Sequence, residues 1–474
     1  MRIFRATSGW TGYQNAVSVA KQPSLPKFDD PKSRGWAYYR SADAIQQRPE
    51  LLGYAHHIIR AFHKNGLGIS GVFCVDGRPT IYFRREKNAV SWSEANRLHR
   101  IFWNQGIATV LILADPERLR IYSSQSRPVN INDSDANPPG LIETRLEDVA
   151  DLLEQEQLLH DVASGQFYHQ HAEHFDDKQA VDTFLLNNLA AARDRLTAGP
   201  HRFNSEEMAH ALLGRLIFLC YLTDRKVIDW ADYEKEVGKG IKDVRQLLTN
   251  YDADEGLRRL YLLFARLHRT FNGSMFDQNL ETELRRLKSL HYETLRQFFA
   301  VADVAAGQGT LGFWAYDFSV IPVETISAIY EDFLSTEDAE GKRKTGAYYT
   351  PRHLAEMVVD IAIADDFEWA QRRFLDCSCG SGIFLVTLFN RLASHWVFNH
   401  ETATYRERAD ALLKILHEQL CGVDIKRTAC RIACFSLYLA FLDQFEPRDI
   451  HEFARKAGRG RKVLPKLLRY RKSK

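Results

Sequence analysis

Two short stretches of this sequence carry residue types that could hold a small charged ligand. The first is Leu375-Asp376-Cys377-Ser378-Cys379-Gly380-Ser381-Gly382. Glycines at a turn between a strand and a helix let the backbone approach a ligand closely and aim helix N–H groups at it. The second is Leu420-Cys421-Gly422-Val423-Asp424, which reads as a strand ending in an acid. A carboxylate at such a tip is placed to accept hydrogen bonds from ribose hydroxyls. A lone Gly-x-Gly is weak evidence, and a glycine turn in a ligand-free α/β domain is the competing reading. The stretch from Gly382 to Asp424 is about twice the usual twenty residues, so an additional helix must lie between them.

These residues need elements to position them. A strand is expected over 373–376, helices over 383–396, 409–418 and 428–442, and a second strand over 420–424. Strand, glycine loop, helix, strand opens a doubly wound α/β domain. Upstream lies Lys344-Thr345-Gly346-Ala347-Tyr348-Tyr349-Thr350-Pro351, before a helix with Leu354, Met357, Val358 and Ile361 on one face. Thr350 reads as its N-cap and Pro351 as its first residue. This loop would deliver two aromatics and a helix N-terminus to the neighbouring sheet.

The rest of the chain divides into two further regions. In the first 130 or so residues, a helix over 51–63 precedes strands over 72–75 and 80–83 around Asp76-Gly77, a strong hairpin signal. A second helix over 93–104 leads to a buried strand over 107–113, a turn at Asp115-Pro116-Glu117 and a partner strand over 119–122. The polar loop over 123–140 marks a boundary. From 141 to about 334 the periodicity is helical, with Leu185, Leu189, Ala192 and Leu196 at steps of four, three and four. Asn204 and Glu207 read as a capping box for a helix through Leu212, Leu213, Leu216 and Leu219. A short charged linker over 336–344 follows.

Composition bounds the function classes. The 474 residues are 45% hydrophobic and 26% charged, so a normal core is available. No run approaches about 18 consecutive apolar residues, so no membrane span is expected, and the N-terminus lacks a signal-peptide pattern. Seven sparse cysteines point to a reduced, cytoplasmic protein. Their Cys-x-Cys and Cys-x-x-x-Cys spacings do not favour zinc. Residues 455–474 hold ten of the 63 basic side chains and no acid, which leaves a net charge of −8 on the first 454 residues. A basic tail on an acidic body suggests a polyanion contact, and a solvated terminus explains the charge equally well.

Taken together, residues 318–442 resemble the adenine-N6 DNA methyltransferases of restriction-modification systems, in particular the large single-chain type IIG enzymes and the type I modification subunits. The likeness rests on several ordered motifs: Thr345 to Pro351, the loop Asp376 to Gly382, Gly422-Val423-Asp424-Ile425, and the helix with Ala429-Cys430-Arg431-Ile432-Ala433. Ile321-Pro322-Val323 and Ile329 to Leu334 look like the helix preceding that domain. The resemblance implies S-adenosylmethionine as cofactor. It would place Gly346, Tyr349, Thr350 and Pro351 near the methionine end, with Asp376, Gly380 and Gly382 around the same moiety. Asp424 and Ile425 would hold the ribose and adenine. Cys377 stands where the family usually has proline, which removes one backbone restraint from the loop.

The family also uses an Asn-Pro-Pro-aromatic motif to hold the target base, which is flipped from the duplex. None follows Asp424. Asn137-Pro138-Pro139-Gly140 is a poor substitute, because glycine cannot stack and no strand precedes it. No catalytic residue is therefore assigned. A nuclease site around Asp76 is also disfavoured, since Glu86 and Lys87 are adjacent and point to opposite faces of a strand. His56-His57 and His169 to His174 lack Cys or carboxylates at ligand spacing and read as solvated helix-face residues, so no metal ligand is assigned.

The expected fold is α/β: an N-terminal α/β module (1–130), degenerate nuclease-like or DNA-positioning; a helical middle domain (141–335); and the front half of a Rossmann-like, S-adenosylmethionine-dependent methyltransferase domain with a basic tail (345–474). The expected function is site-specific methylation of adenine N6 in DNA within a restriction-modification system, by a truncated or split enzyme. Its expected partners are double-stranded DNA and a second chain carrying the rest of the domain. A non-catalytic S-adenosylmethionine- or DNA-binding subunit, or an inactive remnant, is the alternative.

Overall fold

The computed structural model describes residues 35–46, 48, 51, 53–64, 66–129, 137–138, 140–146, 152–197, 206–271, 280–301, 316–326, 350, 352–363, 368–425, 427–446, 448–450, 452 and 467. The expected capping residue Asn204, the linker over 336–344, Gly346, Tyr349, Pro351 and all of the basic tail but Leu467 lie outside the described residues.

The N-terminal module is a six-stranded sheet in sequential order. Its strands are β1 (Trp36–Tyr39), β2 (Gly71–Val75), β3 (Arg78–Arg85), β4 (Val110–Ala114), β5 (Arg118–Ser123) and β6 (Leu141–Leu146). Asp76 (φ 48°) and Gly77 (φ 76°) close the β2–β3 hairpin, as an Asp-Gly turn with two positive φ angles requires. Asp76 is thus a turn residue, and Glu86 accepts a hydrogen bond from Arg84 Nε at 2.7 Å. Only β3 and β4 run parallel. The crossover this demands contains α2 (Trp92–Gln105), which follows α1 (Ala55–Phe62). Ser91 caps α2 by accepting from Glu94 N at 3.2 Å, and Gly106 ends it at φ 55°.

Alternation along the strands gives the sheet two apolar faces. Val72, Cys74, Tyr82, Leu111 and Leu113 pack with Ile58, Leu98 and Phe102 from α1 and α2. Phe73, Ile81, Val110, Ile112 and Ile121 face Leu159 and Val162 of α3 (Leu152–Ser164). The helical reading from residue 141 differs from the structure at its start. The polar loop returns the chain to the sheet, and Leu141–Leu146 pairs antiparallel with β5. Six residues are too few for a 3.6-residue period to be told from a strand.

Six further helices matter here: α4 (Val181–Thr197), α5 (Glu206–Asp224), α6 (Ala253–Phe271), α7 (Arg352–Ile363), α8 (Ile383–Asn399) and α9 (Tyr405–Lys414). A last helix, α10, spans Arg427–Asp443. Leu185, Leu189, Ala192 and Leu196 are all buried on α4, as their spacing predicts. Helices α4 to α6 and α8 to α10 share one core, in which Phe218 of α5 meets Phe435 of α10 at 5.4 Å between ring centroids. Tyr221 Oη donates to the Leu439 carbonyl at 3.2 Å.

Buried charge joins the N-terminal module to the rest. Asp443, at the end of α10, accepts from Arg60 Nη1 of α1 at 3.1 and 3.2 Å, and pairs with Arg225 just after α5. Burial would raise the Asp443 carboxyl, but Arg225 and Arg60 outweigh it and hold the group well below the usual range. Beside this cluster, Tyr54 donates to Glu356 of α7, and Arg352 Nε reaches the same carboxylate at 2.7 Å. The Gly53 backbone lies close against the Arg391 guanidinium of α8, 2.9 Å from Nη2 to where a Cβ would stand. His56 and His57 stand in this junction. The solvated-face reading is therefore corrected for them: His57 is 2% exposed, and the His56 ring lies tilted against it with centroids 3.7 Å apart. Their sequence neighbours reveal nothing of the charges that close over them, because those come from Glu324 and Asp443.

At the far end of α5, burial and the nearby Asp317 raise Asp224 to about 7. Its Oδ2 accepts from Phe318 N at 3.0 Å. The folded chain keeps this proton where the unfolded chain has lost it, so stability from this group falls as pH rises from about 4 to 7. Asp224→Asn retains an acceptor and cannot ionise. Thermal unfolding of the variant should lose that component of the pH dependence and gain relative to the parent at pH 8. An unchanged pH profile would refute the assignment.

Candidate functional site

The glycine loop is built between β7 (Phe374–Asp376) and α8, and the acid follows β8 (Leu420–Gly422). The two strands pair in parallel, Leu375 opposite Cys421 and Asp376 opposite Gly422. Two backbone bonds continue the pairing past the strands: Val423 N donates to the Asp376 carbonyl and Cys379 N to the Val423 carbonyl, each at 2.9 Å. Gly380 (φ 49°) and Gly382 (φ 89°) lie in the left-handed region. A Cβ on Gly382 would meet the Ala433 Cα at 3.0 Å, so both the dihedral and the approach of α10 demand glycine there.

This geometry brings Asp376, Gly380, Gly382 and Asp424 together. Gly380 N donates to Asp424 Oδ2 at 3.1 Å, which ties the loop to the acid at the tip of the second strand. Ser378 N donates to Asp376 Oδ1 at 3.1 Å, whereas Asp376 Oδ2 is buried with no hydrogen-bond partner among the described residues. Burial raises the Asp376 carboxyl, and the charge of Asp424 adds to that shift. Ile425 follows in a bend and is 93% exposed. Thr350 is half-buried, two residues before α7. The described part of this region has a two-stranded sheet.

Two thiols beside the loop are shielded from water. Burial raises Cys379, reinforced by Cys430, and pushes Cys434 up to about 12. Such groups stay protonated near neutral pH. Asn137-Pro138 serves the fold: the Pro138 carbonyl accepts from Leu141 N at 2.9 Å at the start of β6. The expected face of α7 is also unlike a core face. Leu354, Met357, Val358 and Ile361 are exposed, and Ala355 and Val359 are buried instead. Sequence reasoning missed the junction residues Arg60, Arg225, Glu324 and Asp443, which carry no local signal because their partners are up to 383 residues away.

Residues 323–448 match the family described as N-6 DNA Methylase. The resemblance read from the motifs holds for this segment. The match supports DNA methyltransferase chemistry there. The type II restriction enzyme and methyltransferase RM.Eco57I of Escherichia coli is 25% identical over 157 residues, covering 27% of this chain and 16% of that protein. The chain thus spans 16% of the length of the curated relative it matches. A solved cryo-EM structure of a DrdV–DNA complex aligns with 80% of this chain and 33% of that one at 14% identity. The TM-score of that alignment is 0.27. Among the described residues, no helix is long and apolar enough to cross a membrane.

Gly382 offers a local test. Gly382→Ala places a side chain at positive φ and against the α10 backbone, which should cost about 1–3 kcal/mol. A melting temperature equal to the parent's would contradict the close packing of loop and helix.

Proposed function

We propose that residues 345–474 form the front half of a Rossmann-like domain that binds S-adenosylmethionine for methylation of adenine N6 in DNA. The observation that carries this reading is the hydrogen bond between Gly380 N and Asp424, which gathers backbone amides and two carboxylates around one loop. The residues fit the cofactor's chemistry. The unpartnered Asp376 Oδ2 is suited to the ammonium of the methionine moiety. Asp424 is suited to ribose hydroxyls, and Gly380 and Gly382 leave room for close approach. When bound, S-adenosylmethionine supplies an electrophilic methyl group on sulfur. This chain's part is to orient that donor through its loop amides and carboxylates. Gly346, Tyr349, Thr350 and Pro351 are assigned to the methionine end, and Ile425 to the adenine. No residue of these motifs is assigned to the target base.

Double-stranded DNA is the proposed macromolecular partner. The ten basic side chains of 455–474 are proposed to contact its phosphates. The N-terminal sheet is proposed as a positioning module, because its candidate acids are engaged in the fold.

Calorimetry with S-adenosylmethionine tests the cofactor site. Asp424→Asn keeps an acceptor for Gly380 N and loses charge and one acceptor for ribose. It should weaken binding about tenfold or more, equivalent to about 1.4 kcal/mol. Absence of heat from the folded parent chain would overturn the reading. For DNA, each phosphate contact adds about 0.9 to the slope of log affinity against log salt. Glutamine at the ten basic positions should flatten that slope by several units. An unaltered slope would remove the tail from the interface.

A further inference from the structure

We propose a divalent transition-metal site at His56, His57 and Glu324, where an ion clips the N-terminal module to the methylase segment. One imidazole nitrogen from each histidine and one carboxylate oxygen of Glu324 lie within 4.8 Å of one another. The two histidines are on α1, and Glu324 sits in the helical turn after Ile321-Pro322. Among the described residues, His56 Nδ1 is buried without a hydrogen-bond partner, and His57 Nε2 and Glu324 Oε2 face each other at 3.5 Å. A buried ring nitrogen with no partner is unfavourable, and an ion shared by the three groups would satisfy it.

His57 Nε2 and Glu324 Oε2 pair at 3.5 Å, a spacing that an ion between them also fits. Two ligands about 2.1 Å from a tetrahedral ion are separated by about 3.4 Å. The surroundings also orient the ligands as metal sites do. Asn390 Nδ2 donates to the other oxygen of Glu324. Asp443 Oδ2 stands 3.5 Å from His56 Nε2, which leaves Nδ1 as the nitrogen available to an ion. His56 lines a cavity of about 290 Å³ that also touches Arg60, His63, Arg408 and Asp443. Two imidazoles and a carboxylate suit zinc or a neighbouring first-row ion better than magnesium or calcium. The arginines at the junction, Arg60, Arg225 and Arg352, already balance Asp443, Glu324 and Glu356. An added dication is therefore uncompensated, and the affinity should be moderate, with a Kd of about micromolar.

The test uses the untagged full chain and the metals alone. After equilibration with Zn²⁺ and gel filtration, elemental analysis should find one equivalent of zinc, and the melting temperature should rise with free Zn²⁺. Co²⁺ should give visible bands of a nitrogen and oxygen ligand set without thiolate charge transfer, which separates this site from the cysteines near Gly380. His57→Gln and Glu324→Gln should each lose the equivalent. If His57→Gln does not fold, Glu324→Gln and the zinc dependence of the parent's melting temperature decide the matter. No bound zinc and no thermal shift in the parent, a thiolate spectrum, or variants that retain the ion would each overturn the site.

Discussion

The buried carboxylate of Asp443 is the interaction on which the arrangement of the chain depends. It ends α10, yet its partners come from α1 and from the residue after α5. An ion taken out of water is tolerated only while its countercharges are in place, and removal of one partner from such a set costs about 3–5 kcal/mol. Asp443 therefore fixes three stretches of chain at one point. The neighbouring contacts of Tyr54 and Arg352 with Glu356, and of Gly53 with Arg391, follow from that alignment. So does the convergence of His56, His57 and Glu324.

Features coded locally were legible in the sequence. The Asp76-Gly77 hairpin, the α2 helix, the α4 stripe and the strand, loop, helix order around Gly380 all follow from turn chemistry and periodicity within short windows. The likeness to N-6 DNA methylases was legible for the same reason, because its motifs are contiguous. What could not be read depends on long-range closure. Leu141–Leu146 becomes a strand because β5 offers it an edge. His57 is buried where Glu324 lies against it. The exposed face of α7 carries apolar residues at helical spacing, a pattern that specifies a helix and not what covers it.

The candidate cofactor loop and the junction are connected through the same helices. Helix α8 begins at Gly382 and carries Asn390 and Arg391, which meet Glu324 and Asp360. Helix α10 packs Ala433 against Gly382 and ends at Asp443. The same two helices thus touch both the loop and the junction with the N-terminal module.

The pairing of β7 with β8 has a thermodynamic consequence. Phe374 and Leu420 pack inward, but Leu375 is 61% and Val423 52% exposed, on strands that run parallel and would ordinarily be covered on both faces. The loop that ends in Gly382 grows directly from this half-covered pair. Any polypeptide that shields the open face also restricts the loop, so shielding and ligand occupancy share one free-energy cycle. By reciprocity, whatever factor the cover contributes to ligand affinity, the ligand returns to the cover.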